Sequence, residues 1–260
     1  MSTATLPALH SHFSLPAIRK VDSARPFRWL FLGAHDLLTT WPISLGLGVL
    51  FTAGGLFLVD WAWIRPHLAM ALTSGFLLVA PFLALGFYVL SRHIEHRHRR
   101  VWLSALTGVR RNASSIGLYA LMLAFVLSVW ERVSAILVGL FLYKGVTENG
   151  YFSFSMLFSP EHVGFDIAYL LFGAILAVGI FILSVVTLPM LLDRRVDTVT
   201  AIMTSILAVR ENPLPLLIWA AIIVVLGVIG IASGLYAFAL IFPLLGHATW
   251  HAYREMVGRT

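Results

Sequence analysis

The chain of 260 residues contains no cysteine. It therefore holds no disulfide, no cysteine-ligated iron–sulfur cluster, no covalently attached c-type haem and no thiolate nucleophile. Charge is scarce as well. Asp, Glu, Lys and Arg make up 12% of the residues, where a water-soluble domain carries about 25%. Apolar residues reach 59% and the mean hydropathy is +0.89. These shortages argue against a soluble enzyme, a disordered chain and a nucleic-acid-binding domain. The sequence also lacks a phosphate-cradling glycine loop, a Gly-x-Ser-x-Gly elbow and a His-Glu-x-x-His pair.

What is present is a series of charge-free runs, each near the 20 residues a helix needs to cross a bilayer. They are Ile43 to Val59 (extending through Trp61 and Trp63), Leu68 to Ser91, Ala113 to Trp130 and Ile167 to Leu192. The stretch from Asn212 to Tyr253 has 42 residues without a charge. As one helix it would measure about 63 Å, twice the hydrocarbon thickness, so it divides into two spans with a turn near Ser233-Gly234. Six transmembrane helices result. Fifteen of the 18 Lys and Arg fall on one side of these spans, leaving Arg65, Arg132 and Lys144 on the other. The positive-inside rule then places both termini in the cytoplasm, and the pI near 10.1 reflects basic loops held by an anionic inner leaflet.

The spans fall into three similar units. Val109, Arg110 and Asn112 recur after 100 residues as Val209, Arg210 and Asn212, and Trp41-Pro42 stands where Asn212-Pro213 stands. Each unit is an amphipathic cytoplasmic segment followed by a helical hairpin, with Pro81, Pro189 and Pro243 in the returning helices. The expected fold is thus all-α, a polytopic membrane bundle of six helices. A cytoplasmic tail, 1–25, precedes a single domain, 26–255, with repeats near 26–96, 97–193 and 194–255. The middle repeat carries an outer-face insertion at 135–164. There Ile136 to Tyr143 is too short to cross, and Tyr151, Phe152, Phe154 and Phe158 suit an interfacial excursion or a docking surface.

Few side chains offer chemistry. His247 and His251 are spaced i, i+4, so they share one helical face and could chelate a metal. They cannot supply both axial ligands of one haem, which would need His35 or His93 from another helix. The same residues, with Trp250, Tyr253 and Arg254, also read as a polar helix end anchored at the membrane interface or at a partner. The run from Arg92 to Arg100 holds three histidines, but its arginines oppose cations and favour a phosphate or lipid headgroup. Asp60, Glu131 and Arg132 stand at the outer ends of the first and third spans. They read as interface charges, or as an ion path if drawn inside the bilayer.

The run from Asp193 to Ser205, Asn212-Pro213, Trp219-Ala220, and Phe242 to Arg254 resemble a bacterial family of predicted integral membrane proteins catalogued as a domain of unknown function. Some of its members carry the name of a putative cytochrome c oxidase subunit. A haem–copper catalytic subunit resembles a twelve-helix bundle with six ligating histidines, which this chain does not have. The resemblance implies a non-enzymatic accessory or assembly subunit of the inner membrane, packing beside a respiratory or other complex. Small-residue faces such as Gly46, Gly48, Gly54 and Gly55 would admit close helix contacts. A small-solute transporter or channel and a carrier of haem b or metal are the competing expectations.

Overall fold

The structure, a computed structural model, describes residues 15–64, 83–95, 109–141 and 163–258. Among the described residues it is helical, apart from one bridge pairing Ile18 with Val257. We number the helices α1 (Arg25–Thr39), α2 (Trp41–Ile64), α3 (83–95), α4 (Ala113–Phe141), α5 (Val163–Ser184), α6 (Thr187–Asp193), α7 (Thr198–Glu211), α8 (Pro213–Ala232) and α9 (Phe238–Met256). Four segments are long and apolar enough to cross a membrane: Trp41–Trp61, Ala113–Phe141, Val163–Asp193 and Pro213–Ala232. Most of the expected second span, including Pro81, lies outside the described residues. The stretch expected to form the sixth span is helical as α9, but its C-terminal half carries His247, His251, Arg254 and Glu255, and α9 is not among the four segments apolar enough to cross.

Several boundaries differ from expectation, each for a local reason. The third span does not stop at Trp130. Residues 131–141 continue α4, because nothing between Ala113 and Phe141 breaks a helix and one adjacent Glu131-Arg132 pair can lie along its surface. Ile136 to Phe141 is therefore the end of a membrane helix and not part of an interfacial excursion. The insertion shrinks to 142–162, and Tyr151, Phe152, Phe154 and Phe158 lie outside the described residues. Arg19 N–H donates to Met256 O at 2.8 Å, and Gly258 N–H to Ala17 O at 3.0 Å. The segment before α1 is thus paired, through Ala17 to Arg19, with Met256 to Gly258.

The two described prolines of the returning helices act differently. Pro189 lacks an N–H and crowds the carbonyl of Val185, and the helix breaks there, between α5 and α6. Hydroxyls take over: Ser205 Oγ donates to Ile182 O at 2.7 Å, and Thr187 Oγ1 donates to Leu183 O. Pro243 sits inside an unbroken α9. It frees the Ala239 carbonyl, and Gly48 of α2 packs so closely against that oxygen that a Cβ would overlap it. Between α8 and α9 the expected turn is present. Leu235 N–H bonds Gly230 O and Gly234 N–H bonds Ile231 O, both at 3.0 Å. This is a Schellman closure with Gly234 in the left-handed region, φ +68°.

The packed core lies at the terminal-pairing end of the helices. Trp29, Trp219, Trp250, Tyr253, Met190, Leu191, Leu192 and Met256 are fully buried there, with Trp29 and Trp219 edge to face at 6.0 Å. Beyond it, α2, α4, α5 and α8 expose leucine, valine, isoleucine and phenylalanine along their length. Asparagines tie the joints where short helices meet long ones. Asn112 Nδ2 donates to Leu191 O at 3.1 Å and Val196 O at 2.9 Å. Asn212 accepts from Val21 N–H at 2.8 Å through Oδ1 and donates to Arg19 O at 3.1 Å. Replacing either by Ala strands buried backbone partners. Each change is expected to cost about 1–3 kcal/mol, read as a lowered thermal midpoint of the detergent-solubilised protein; an unchanged midpoint would show the joints to be dispensable.

Candidate functional site: a buried Asp–Ser–His network

Helix α9 is the post on which the site is built, and small residues let three neighbours reach it. A Cβ on Gly33 of α1 would sit 2.7 Å from Ala248 N, and one on Gly246 would sit 2.6 Å from the Phe87 ring of α3. With Gly48 on α2, these contacts bring α1, α2 and α3 against one face of α9. In α1 the buried positions are Pro26, Trp29, Gly33 and Asp36, three and four residues apart, so the helix turns one stripe inward and Asp36 comes with it.

A continuous chain of hydrogen bonds results. His251 Nε2 and Asp36 Oδ2 are 2.8 Å apart. Ser91 Oγ donates to the same Asp36 oxygen at 2.6 Å and lies 2.7 Å from His247 Nδ1. Ser44 Oγ lies 2.9 Å from His247 Nε2, and Thr40 Oγ1 lies 2.8 Å from Ser44 Oγ. Because the Ser91 proton goes to Asp36, His247 holds its proton on Nδ1 and donates to Ser91. Its Nε2 then accepts from Ser44. Asp36, Ser44, Ser91 and His247 are all buried, at 4%, 0%, 1% and 0% exposure. Burial pushes the Asp36 carboxyl up in pKa. Hydrogen bonds from His251 and Ser91, with favourable electrostatics from the two nearby imidazoles, outweigh that push and hold it below its ordinary 3.8.

The expected pair His247 and His251 does share one face, but the two rings are joined through Ser91 and Asp36. Both ring nitrogens of His247 are already committed to hydroxyls. Among the described residues, no three His, Asp or Glu side chains converge on a point suited to a metal ion. An iron ligated by His247 would have to displace one of these hydroxyls, Ser44 at Nε2 or Ser91 at Nδ1. His35 is exposed, with Nδ1 3.8 Å from Asp36 Oδ1. His93 is in α3, and its Nδ1 is buried without a hydrogen-bond partner. Neither joins the chain.

Around this network runs a second shell of charge. Arg254 pairs with Glu95 at 2.6 Å and Asp193 at 3.3 Å, Tyr253 donates to Asp193 at 2.8 Å, and Trp29 Nε1 donates to Glu255 at 2.6 Å. Trp250 and Tyr253, expected at an interface, are instead wholly internal. The Tyr253 hydroxyl also takes a hydrogen bond from Arg194 Nε at 2.9 Å. The segment at 17–19, paired with 256–258, and Arg194 cover this helix end. Asp60 and Arg132 are exposed on α2 and α4, and Glu131 is half-buried. Sequence reasoning missed Asp36, Thr40, Ser44 and Ser91. The available signal was the line Trp29, Gly33, Asp36, Thr40, Ser44, which runs inward across the α1–α2 joint at helical spacing.

Four helices long and apolar enough to cross a membrane define the chain as a multi-pass helical membrane protein. Residues 68–193 match the family described as predicted integral membrane protein (DUF2189), the domain of unknown function that the sequence resembles. The matched segment covers the second to fourth apolar runs and stops where the C-terminal resemblance begins. It gives no support to an oxidase name. No curated protein and no solved structure matches the chain.

Two outcomes test the network. Asp36→Ala removes the acceptor of both Ser91 and His251 and is expected to cost on the order of 3 kcal/mol. Asp36 is ionised at a lower pH in the folded protein than in the unfolded one. Its stabilisation is therefore present above 3.8 and is lost as pH falls through the folded value. Thermal midpoints of wild type and Asp36→Asn, followed from neutral pH into acid, should converge as the wild type loses its advantage. Parallel curves would show that Asp36 contributes no such linkage.

Proposed function

We propose that this protein is a non-enzymatic accessory or assembly subunit of the bacterial inner membrane. In this reading it crosses six times as three hairpins, each preceded by an amphipathic segment, with both termini in the cytoplasm. The hairpin scheme is supported by contacts that join each outgoing helix start to a returning helix end. Ser44 and Ser91 share His247, Asn112 bonds Leu191, and α8 starts at Asn212 beside Arg19, whose N–H bonds Met256 at the end of α9. The distribution of the 15 cations supports the cytoplasmic assignment of that end.

One contrast carries the functional reading. The side chains able to do chemistry are closed into an internal network, while the membrane-depth faces are apolar and open. In the four candidate spans only 22, 17, 17 and 22% of the apolar window is buried within the chain. Between α4 and α5 lies an apolar groove of about 310 Å³, lined by residues such as Val126, Trp130, Phe172, Ile175 and Leu183. A solute path would call for polar lining at that depth. A groove of carbon suits a neighbouring transmembrane helix, which gains packing there without desolvating anything.

Purification from its native membrane in mild detergent should recover the protein in a particle larger than its own oligomer, with a second membrane protein present in fixed ratio. Leu176→Trp or Gly179→Trp would fill the groove and should release that partner while leaving helical content intact. Recovery of the wild type only as a free protomer or homo-oligomer would overturn the proposal.

A further inference from the structure

The accessory role leaves one electrostatic feature unused. Arg92 at the end of α3, Arg111 just before α4 and Arg195 just after α6 gather at one end of the molecule. Arg92 Nη1 and Arg111 Nη2 lie 3.5 and 3.3 Å from the same Leu192 carbonyl oxygen, and Arg111 Nη2 donates to Asp193 O at 2.7 Å. Like charges are thus steered together by backbone oxygens at the end of α6. Burial and then the positive charges of Arg92 and Arg195 push the Arg111 pKa down, with only Asp193 acting the other way. That carboxylate is already shared: Arg92 Nε and Arg254 Nη1 each lie 3.3 Å from it, and Tyr253 donates to it.

Within the described residues the positive charges of Arg92 and Arg195 thus act on Arg111, with the Asp193 carboxylate the named opposing charge. Arg111 stands two residues before α4 begins at Ala113, where polar joint gives way to lipid-exposed helix. Arg111 and Arg195 are exposed, and Arg110 beside them is exposed too. Within the described residues Arg111 uses Nη2 for its hydrogen bonds, and its side chain is exposed. Planar guanidinium forks match phosphate oxygens in pairs, which an ammonium does not.

We propose that Arg92, Arg111 and Arg195 form a binding site for the phosphodiester headgroup of an anionic phospholipid. The site rests on the reading that this end of the molecule meets the cytoplasmic leaflet, and it deepens that reading by naming a specific lipid contact. One phosphate oxygen pair would bridge Arg111 and Arg195, and the acyl chains would lie along α4.

The test uses the full chain in mild detergent, titrated with phosphatidylglycerol or phosphatidylcholine and followed by native mass spectrometry. The wild type should retain phosphatidylglycerol in preference to phosphatidylcholine. Arg111→Gln combined with Arg195→Gln should weaken that retention by about fivefold per arginine removed, and Arg28→Gln, at an exposed position on α1, by less than about twofold. Where the double variant does not fold, Arg195→Gln alone at its exposed position supplies the comparison. Equal losses at Arg28 and at the cluster would mean diffuse attraction and would overturn the site, as would unchanged retention in the double variant. Inorganic phosphate that raises the thermal midpoint of the wild type as much as the lipid does, but not that of the double variant, would assign the cluster to free phosphate and overturn the lipid headgroup. Carbonate extraction of native membranes separates the two levels of the argument. Release of the protein into the soluble fraction would sink the membrane reading itself, whereas retention without lipid preference would sink only the site.

Discussion

A carboxylate and two imidazoles packed at the end of lipid-solvated helices have no water to fall back on. Each polar atom must find a protein partner or cost several kcal/mol. This constraint orders the described part of the molecule. Asp36 can be buried because His251 and Ser91 meet its oxygen. Ser91 can be buried because it lies between Asp36 and His247, and His247 because Ser44 takes its other nitrogen. Remove one member and the next is left without a partner, so the chain of bonds acts as a unit. The glycines at 33, 48 and 246 serve the same end. They add no bond themselves, but without them the backbones of α1, α2 and α3 could not come near enough to α9 for the hydroxyls to reach.

The same requirement explains the joints. A helix that turns from the membrane surface into the bilayer leaves donors and acceptors unpaired at its start. Asn112 and Asn212 answer it alike, each spending a side-chain amide on carbonyls of a distant segment, the α6 region for one and the pre-α1 segment for the other. At the first joint the corresponding work falls to Thr40, whose hydroxyl donates to Asp36 O at 2.8 Å. There a hydroxyl that caps its own helix stands where the other two joints use an amide that reaches across. Pro189 adds a second break, and Ser205 and Thr187 fill it with hydroxyls.

What could be read from sequence was whatever depends on spacing along one helix. The apolar runs, the turn at Ser233-Gly234 and the shared face of His247 and His251 all follow from helical periodicity. What spacing does not carry is the partner across space. Asp36 lies 215 residues from His251, and no local pattern distinguishes an aspartate that will be buried from one that will be solvated. Trp250 and Tyr253 illustrate the same limit in reverse. An aromatic belt at a helix end is the ordinary expectation, yet the residues before α1 pair with 256–258 and cover that end, turning belt positions into core. Helix length was misjudged at Glu131-Arg132 because a charge marks where a membrane can end, while only backbone chemistry marks where a helix ends.

These points bear on why the buried network reads as an anchor. Groups that act on a substrate must be reachable, and the four central members of this chain are sealed by α1, α2, α3 and α9 on every side that the contacts define. A sealed network can still fix the angle of α1 against α2, α3 and α9 and keep that end of the described helices rigid. Rigidity at one end leaves the opposite stretches of α2, α4, α5 and α8 as the variable surface, apolar throughout and therefore able to exchange lipid for protein at little cost in desolvation. Polar bonds thus hold one end of the described helices together, while the remaining length of α2, α4, α5 and α8 presents carbon.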